Sequence, residues 1–197
     1  PATWVSALNH FLPNDVGVQA AYKINEDYDI RKRAIRRRYK YVILNRATES
    51  PLLRERSYWV PMAIDLERAN EAAEHLIGER DFGPFSGALD RKDASTVRCL
   101  YRATFRRDGD IIDFEVEGSS FLPQQVRRMT GALLEVGLGK TEVRKFQKLA
   151  DSGNRGSARP TLPSRGLSLE EVYYRDFPPT QDAIKEELAG KAHEFND

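Results

Sequence analysis

The stretch YRATFRRDGDIIDFEVEGSSFLPQQVRRMTGALL, residues 101–134, decides the fold. Its first half turns on Asp108-Gly109, a two-residue hairpin signal. Pairing about that turn sets Phe105 opposite Ile112, Ala103 opposite Phe114 and Tyr101 opposite Val116, an apolar face in register. The other face sets Arg102 opposite Glu115 and Thr104 opposite Asp113, so Arg102 reads as a cross-strand partner. In the second half, apolar residues at 122, 126, 129 and 133, continued by Val136, recur about every 3.6 residues. That period predicts an amphipathic helix with Pro123 in its first turn. Arg127 and Arg128 fall off its stripe on opposite sides. Arg127 borders the buried face, where a guanidinium needs an anion, and Glu115, Glu117 or a carboxylate from another segment could supply one.

Around this stretch the chain reads as an α+β domain with a mixed or largely antiparallel sheet and packed helices. A short strand is expected over 18–24. An interior strand is expected over 39–44, with Tyr39, Tyr41 and Ile43 on one face and Val42 and Leu44 on the other. Asp65 is placed to cap a helix running to Ile77, ended by Gly78. GERDFGPFSG, 78–87, reads as a loop anchored by Phe82 and Phe85, and Thr141 as the cap of a short helix. Residues 151–165, rich in Ser, Gly, Arg and Pro, read as a surface loop. Gly166 to Tyr174 reads as a last strand. The domain is drawn over 1–178, and 179–197 as a charged tail or short helix, Thr180 to Ala189.

With 197 residues, 40% hydrophobic and 31% charged, the chain can bury a core. No run approaches the roughly 20 apolar residues of a membrane span. PATWVSALNH lacks the pattern of a signal peptide. The single cysteine, Cys99, excludes an intrachain disulfide, fits a reducing, cytoplasmic setting, and reads as a buried thiol in a strand. His10, His75 and His193 lack metal-ligand spacing, and GLGK at 137–140 is too short for a Walker A loop, so neither metal nor cofactor is expected. Lys and Arg number 31 against 30 Asp and Glu, but the charge is uneven. Residues 31, 32, 33, 36, 37, 38, 40 and 46 are basic, with no acidic residue among them. Such a block suits nucleic acid, or else a face paired with distant carboxylates. Tyr39, at its end, is placed either to stack on a base or to pack over a core edge.

The order of several short motifs resembles the C-terminal part of the TruA family of tRNA pseudouridine synthases. SALNHFLPNDVGV is similar to the segment entering that domain, and IRKRAIRRRYKYVILN to its arginine-rich segment ending in RxYxY. GERDFGPFSG resembles GxxDFxxF, FLPQQVRRMTG resembles FLxxxVRxxxG, and SRGLSLEEVYY resembles GLxLxxVxY. The resemblance implies a pseudouridine synthase-like second domain acting without metal or cofactor on uridines of the tRNA anticodon arm, as a homodimer. It implies that Tyr39 lies against the target uracil, that Arg127 pairs with the nucleophilic aspartate, and that Leu167 lines the uracil pocket. Arg31, Arg37 and Arg38 fall in the RNA-facing basic region. Arg128 falls where the family varies and is expected to be a solvated flank or RNA contact. The family's GRTDxGVH motif, which carries the aspartate, does not occur in these residues. The expectation is a chain lacking an N-terminal domain, with a non-catalytic RNA-binding module or an assembly domain as alternatives. PQQ at 123–125 departs from the usual aromatic, His or Asn, and Met.

Overall fold

A computed structural model describes residues 2–24, 26, 28–89, 93–175 and 177. The chain forms two compact units, residues 1–34 with 174–197, and residues 35–173. The first holds helix α1 (Ala2–Phe11) and the single turn α2 (Ile30–Arg33). The strand expected over 18–24 does not form. Val18 gives its N–H to Asn9 Oδ1 at 2.7 Å, and its carbonyl accepts from Asn9 Nδ2 at 2.8 Å, so a side chain takes the groups a ladder would use. Asp29 caps α2, accepting from the N–H of Arg31 at 3.0 Å and of Lys32 at 3.2 Å. The Lys32 backbone bond leads in holding its carboxyl below the usual range.

The sheet comprises β1 (Ala34–Leu44), β2 (Tyr58–Trp59), β3 (Gly78–Asp81), β4 (Val97–Asp108), β5 (Ile111–Gly118) and β6 (Leu167–Tyr174). Its order is β2-β1-β5-β4-β3, with β6 also on β1. The β1–β2 pair is parallel, while β1–β5, β3–β4 and β4–β5 are antiparallel, which gives the expected mixed, largely antiparallel α+β architecture. Apolar residues on both faces of β1 fit its interior place, and Tyr41 and Ile43 are fully buried.

The hairpin forms two residues out of the expected register. Asp108 pairs with Ile111, so the loop is Gly109-Asp110 and Phe105 faces Phe114, Ala103 Val116 and Thr104 Glu115. Gly109 takes φ +55°, and Asp110 does not share that sign; two-residue loops favour glycine first in this arrangement. A shift of two keeps every side chain on its expected face. The exception is Tyr101, skipped where the register slips between Leu100 and Arg102; it stands half-exposed, and Leu100 takes the core position.

Helices α3 (Leu66–Glu74), α4 (Gln125–Gly137) and α5 (Val143–Ala150) complete this unit. Asp65 caps α3 through the Arg68 N–H at 3.1 Å, as its type and place predict. Thr141 is not the cap of α5; that place belongs to Glu142, whose side chain makes no capping bond. GERD is a strand rather than loop, while Phe82 and Phe85 are anchored, each 1% exposed.

Helix α4 differs most from its expected form, since only Arg127 and Glu135 escape burial. The segment 151–165 is the reason. It is the expected surface loop over most of its length, but it runs along the helix and turns Ala158 and Leu162 inward, where they are buried. A Cβ on Gly131 would stand 2.1 Å from the Pro160 carbonyl oxygen, so this contact requires glycine. Among the described residues no helix is long and apolar enough to cross a membrane. The helix expected from Thr180 to Ala189 lies outside the described residues.

Candidate functional site

Three elements far apart in sequence meet at one cavity. β1 supplies Tyr39, held in register against Val116. The start of α4 supplies Arg127, and β6 opens with Leu167. These three, with Phe121, Gln124 and Ser164, line a cavity of about 460 Å³. The Phe121 ring meets Tyr39 edge-on, 5.1 Å between centroids at 80°, which fixes the tyrosine as a wall of that cavity. From sequence Phe121 and Ser164 carry no site role, and Gln124 stands out only as the middle residue of PQQ, where the resemblance departs. Their signal is position, just before the helix and strand that carry Arg127 and Leu167.

Arg127 donates its Nε–H to the Leu162 carbonyl, a neutral acceptor. The two glutamates that could have met it point from the other face of β5 and are paired there. Arg36 Nη1 binds Glu117 at 2.6 Å, and Arg102 Nη2 binds Glu115 at 3.1 Å. Among the described residues Arg127 has no ion pair. A planar fork of donors at a cavity wall, without an acid opposite, suits a carboxylate or phosphate.

Arg128 is not the solvated flank expected; it is 8% exposed. Nη1 donates to the Gly156 carbonyl at 2.8 Å and the Ala158 carbonyl at 3.4 Å, while Nε and Nη2 each reach Gln124 Oε1 at 3.3 Å. The folded-over 151–165 segment explains the burial. All these acceptors are neutral, and burial, with the nearby cations Arg159 and Arg127, lowers the pKa of Arg128.

The basic block is more paired than its sequence suggests. Lys32, Arg36, Arg38, Lys40 and Arg46 meet Asp29, Glu117, Glu171, Glu170 and Asp110. Glu117 also raises the pKa of Arg36, whose guanidinium sits 4.7 Å over the Tyr173 ring. Of the residues expected to face RNA, Arg31 is exposed on α2, Arg37 gives Nη1 to the Ser119 carbonyl at 2.8 Å, and Arg38 binds Glu171 at 2.7 Å. Cys99 is partly rather than fully buried. Among the described residues no cluster of three or more His, Cys, Asp or Glu is placed to hold a metal.

Residues 72–175 match a family model described as tRNA pseudouridine synthase. The chain is similar to tRNA pseudouridine synthase A of Myxococcus xanthus, 39% identical over 178 residues, 90% of this chain and 67% of that protein. It is also similar to the same-named protein of Francisella tularensis subsp. holarctica, 33% identical over 184 residues, 93% of this chain and 71% of that protein. A Burkholderia thailandensis relative of that name is 37% identical over 172 residues, covering 87% of this chain and 63% of its own length.

Proposed function

The chain belongs to the tRNA pseudouridine synthase family, and on that premise we propose that it forms the base-holding half of an enzyme that isomerises uridines in the tRNA anticodon arm. One observation carries the reading. Residues 39, 127 and 167, each assigned a role by resemblance, share one cavity, and the arginine among them has no acidic partner among the described residues.

In this reading Tyr39 and Leu167 flank the uracil. Arg127 receives an aspartate contributed by a segment outside these 197 residues, in the manner of the GRTDxGVH motif. The guanidinium keeps that carboxylate ionised and fixes its line of attack. The aspartate bonds to the nucleoside, the N-glycosidic bond breaks, the uracil turns, and the sugar is rejoined through C5 as the bond to the aspartate breaks and its carboxylate is released, with the C5 proton lost to solvent and N1 gaining one. A base within a stem must first be unstacked, which costs a few kcal/mol and is least at a loop-proximal or weak pair. Two copies of the whole protein grip one anticodon arm.

The test is pseudouridine mapping on unmodified tRNA. The 197-residue chain is expected to bind the RNA and form no pseudouridine, and the chain joined to a GRTDxGVH-bearing segment to form it in the anticodon arm. Pseudouridine made by the 197 residues alone would overturn the external carboxylate. None from the joined protein would overturn the activity.

A further inference from the structure

Gln124 is the one non-glycine residue among the described residues with a positive φ, +60° with ψ 1°. An L side chain is disfavoured there, and retention of such a conformation calls for a use. Helix capping is not that use. Gln124 occupies the N-cap position of α4 without a capping bond, and it is Gln125 that accepts from the Leu122 N–H at 2.8 Å. Core packing is not it either, because Gln124 is exposed.

What the side chain does is meet Arg128. A guanidinium carries only donors, so the amide must turn its oxygen toward it, and Oε1 takes both Nε and Nη2. That fixes which corner of the amide is nitrogen. The backbone beside it is tied down as well, since the Gly87 N–H donates to the Pro123 carbonyl at 2.6 Å. Nε2 therefore remains a two-hydrogen donor on a residue that lines the cavity of Tyr39, Arg127 and Leu167. Among the described residues no acceptor takes those hydrogens.

We infer that Gln124 donates from Nε2 to a carbonyl of the target uracil, with Arg128 as the positioning residue that orients it; this rests on the reading of the cavity as the uracil site. The chemistry fits a dioxopyrimidine in particular. A half-turn about the N3–C6 axis exchanges N1 with C5 and O2 with O4. One fixed donor can thus hold a carbonyl before the turn and its counterpart after it. Cytosine carries an amino group at C4, which would set donor against donor in one of the two states.

The experiment uses the full-length protein with Gln124→Gly, which suits the left-handed backbone, and Gln124→Glu, which keeps an oxygen for Arg128 but replaces the donor with an acceptor. Thermal melts accompany single-turnover rates at saturating tRNA. Both variants are expected to stay folded, with Gln124→Gly relieving the left-handed backbone while leaving Arg128 Nε and Nη2 without their acceptor, and to react about fivefold or more slower, the loss of one neutral hydrogen bond. A smaller change in rate overturns the proposal. So does lost tRNA affinity at an unchanged saturating rate, which would put the amide on the RNA backbone. Arg128→Lys should slow the wild type but add nothing in the Gln124→Gly background; additive losses would overturn the positioning role. An inactive wild type would overturn the uracil-site reading itself, whereas an active wild type with unaffected variants would overturn this inference alone.

Discussion

Arg36 donates to the Glu117 carboxylate across 2.6 Å, joining β1 to β5 on the sheet face opposite the one that Tyr39 and Val116 share. The pair matters for Arg127, since it holds one of two glutamates that might have braced α4 on the face turned away from that helix; Arg102 holds the other there. Arg127 is left with a backbone carbonyl for Nε, at the wall of a cavity.

Tyr39 should matter more to turnover than to folding, because its ring is only partly buried and lines the cavity beside Phe121. In the full-length protein, Tyr39→Phe should retain turnover, since stacking on a base needs only the ring, and Tyr39→Leu should lose the roughly 1–3 kcal/mol of stacking. Rates and melts together check this. Equal turnover in both folded variants would reject base stacking, and unfolding of both would make Tyr39 a core residue.

Replacing Arg37 and Arg38 together with Ala should weaken tRNA binding and flatten its salt dependence, as fewer counterions are released. Two lost phosphate contacts would lower the slope of log affinity against log salt by roughly one to two. Arg38 also binds Glu171 and Arg37 the Ser119 carbonyl, so a melt must accompany the titration. An unchanged slope would assign the pair to holding β1 rather than to RNA.

Gly131→Ala should destabilise the fold. Its Cβ would press to 2.1 Å on a backbone oxygen, that of Pro160, which no rotamer change can relieve. Overpacking of this kind costs about 1–3 kcal/mol, and the melting temperature should fall by several degrees. An unchanged melt would mean that the 151–165 segment does not sit against α4.

The elements legible in the sequence were those with a local signature: β1, the β4–β5 hairpin, the Asp65 cap, the closing strand and α4 itself. What stayed hidden depended on contacts distant in sequence. Asp108-Gly109 and Gly109-Asp110 give the same alternation of faces, so the pattern alone could not separate two registers two residues apart. The burial of Arg128 depended on a polar, Pro-rich segment folding back over a helix, and a helical wheel carries no sign of that. The acidic partners of the basic block lie up to 133 residues away, as Glu171 does from Arg38. The residues assigned by resemblance, Tyr39, Arg127 and Leu167, meet at one cavity because the motifs that carry them begin or flank the strands and the helix around it.

The most direct test of the account is the single-turnover rate of pseudouridine formation by Arg127→Ala in the full-length protein at saturating tRNA, read beside its thermal melt. An aspartate in a partly dry pocket relies on the adjacent cation to remain ionised and aimed. Loss of roughly 3 kcal/mol of that support is more than a hundredfold in rate. The account predicts a fall of at least this order with the fold retained. A variant that melts lower but turns over at the wild-type rate below its melting point would contradict it.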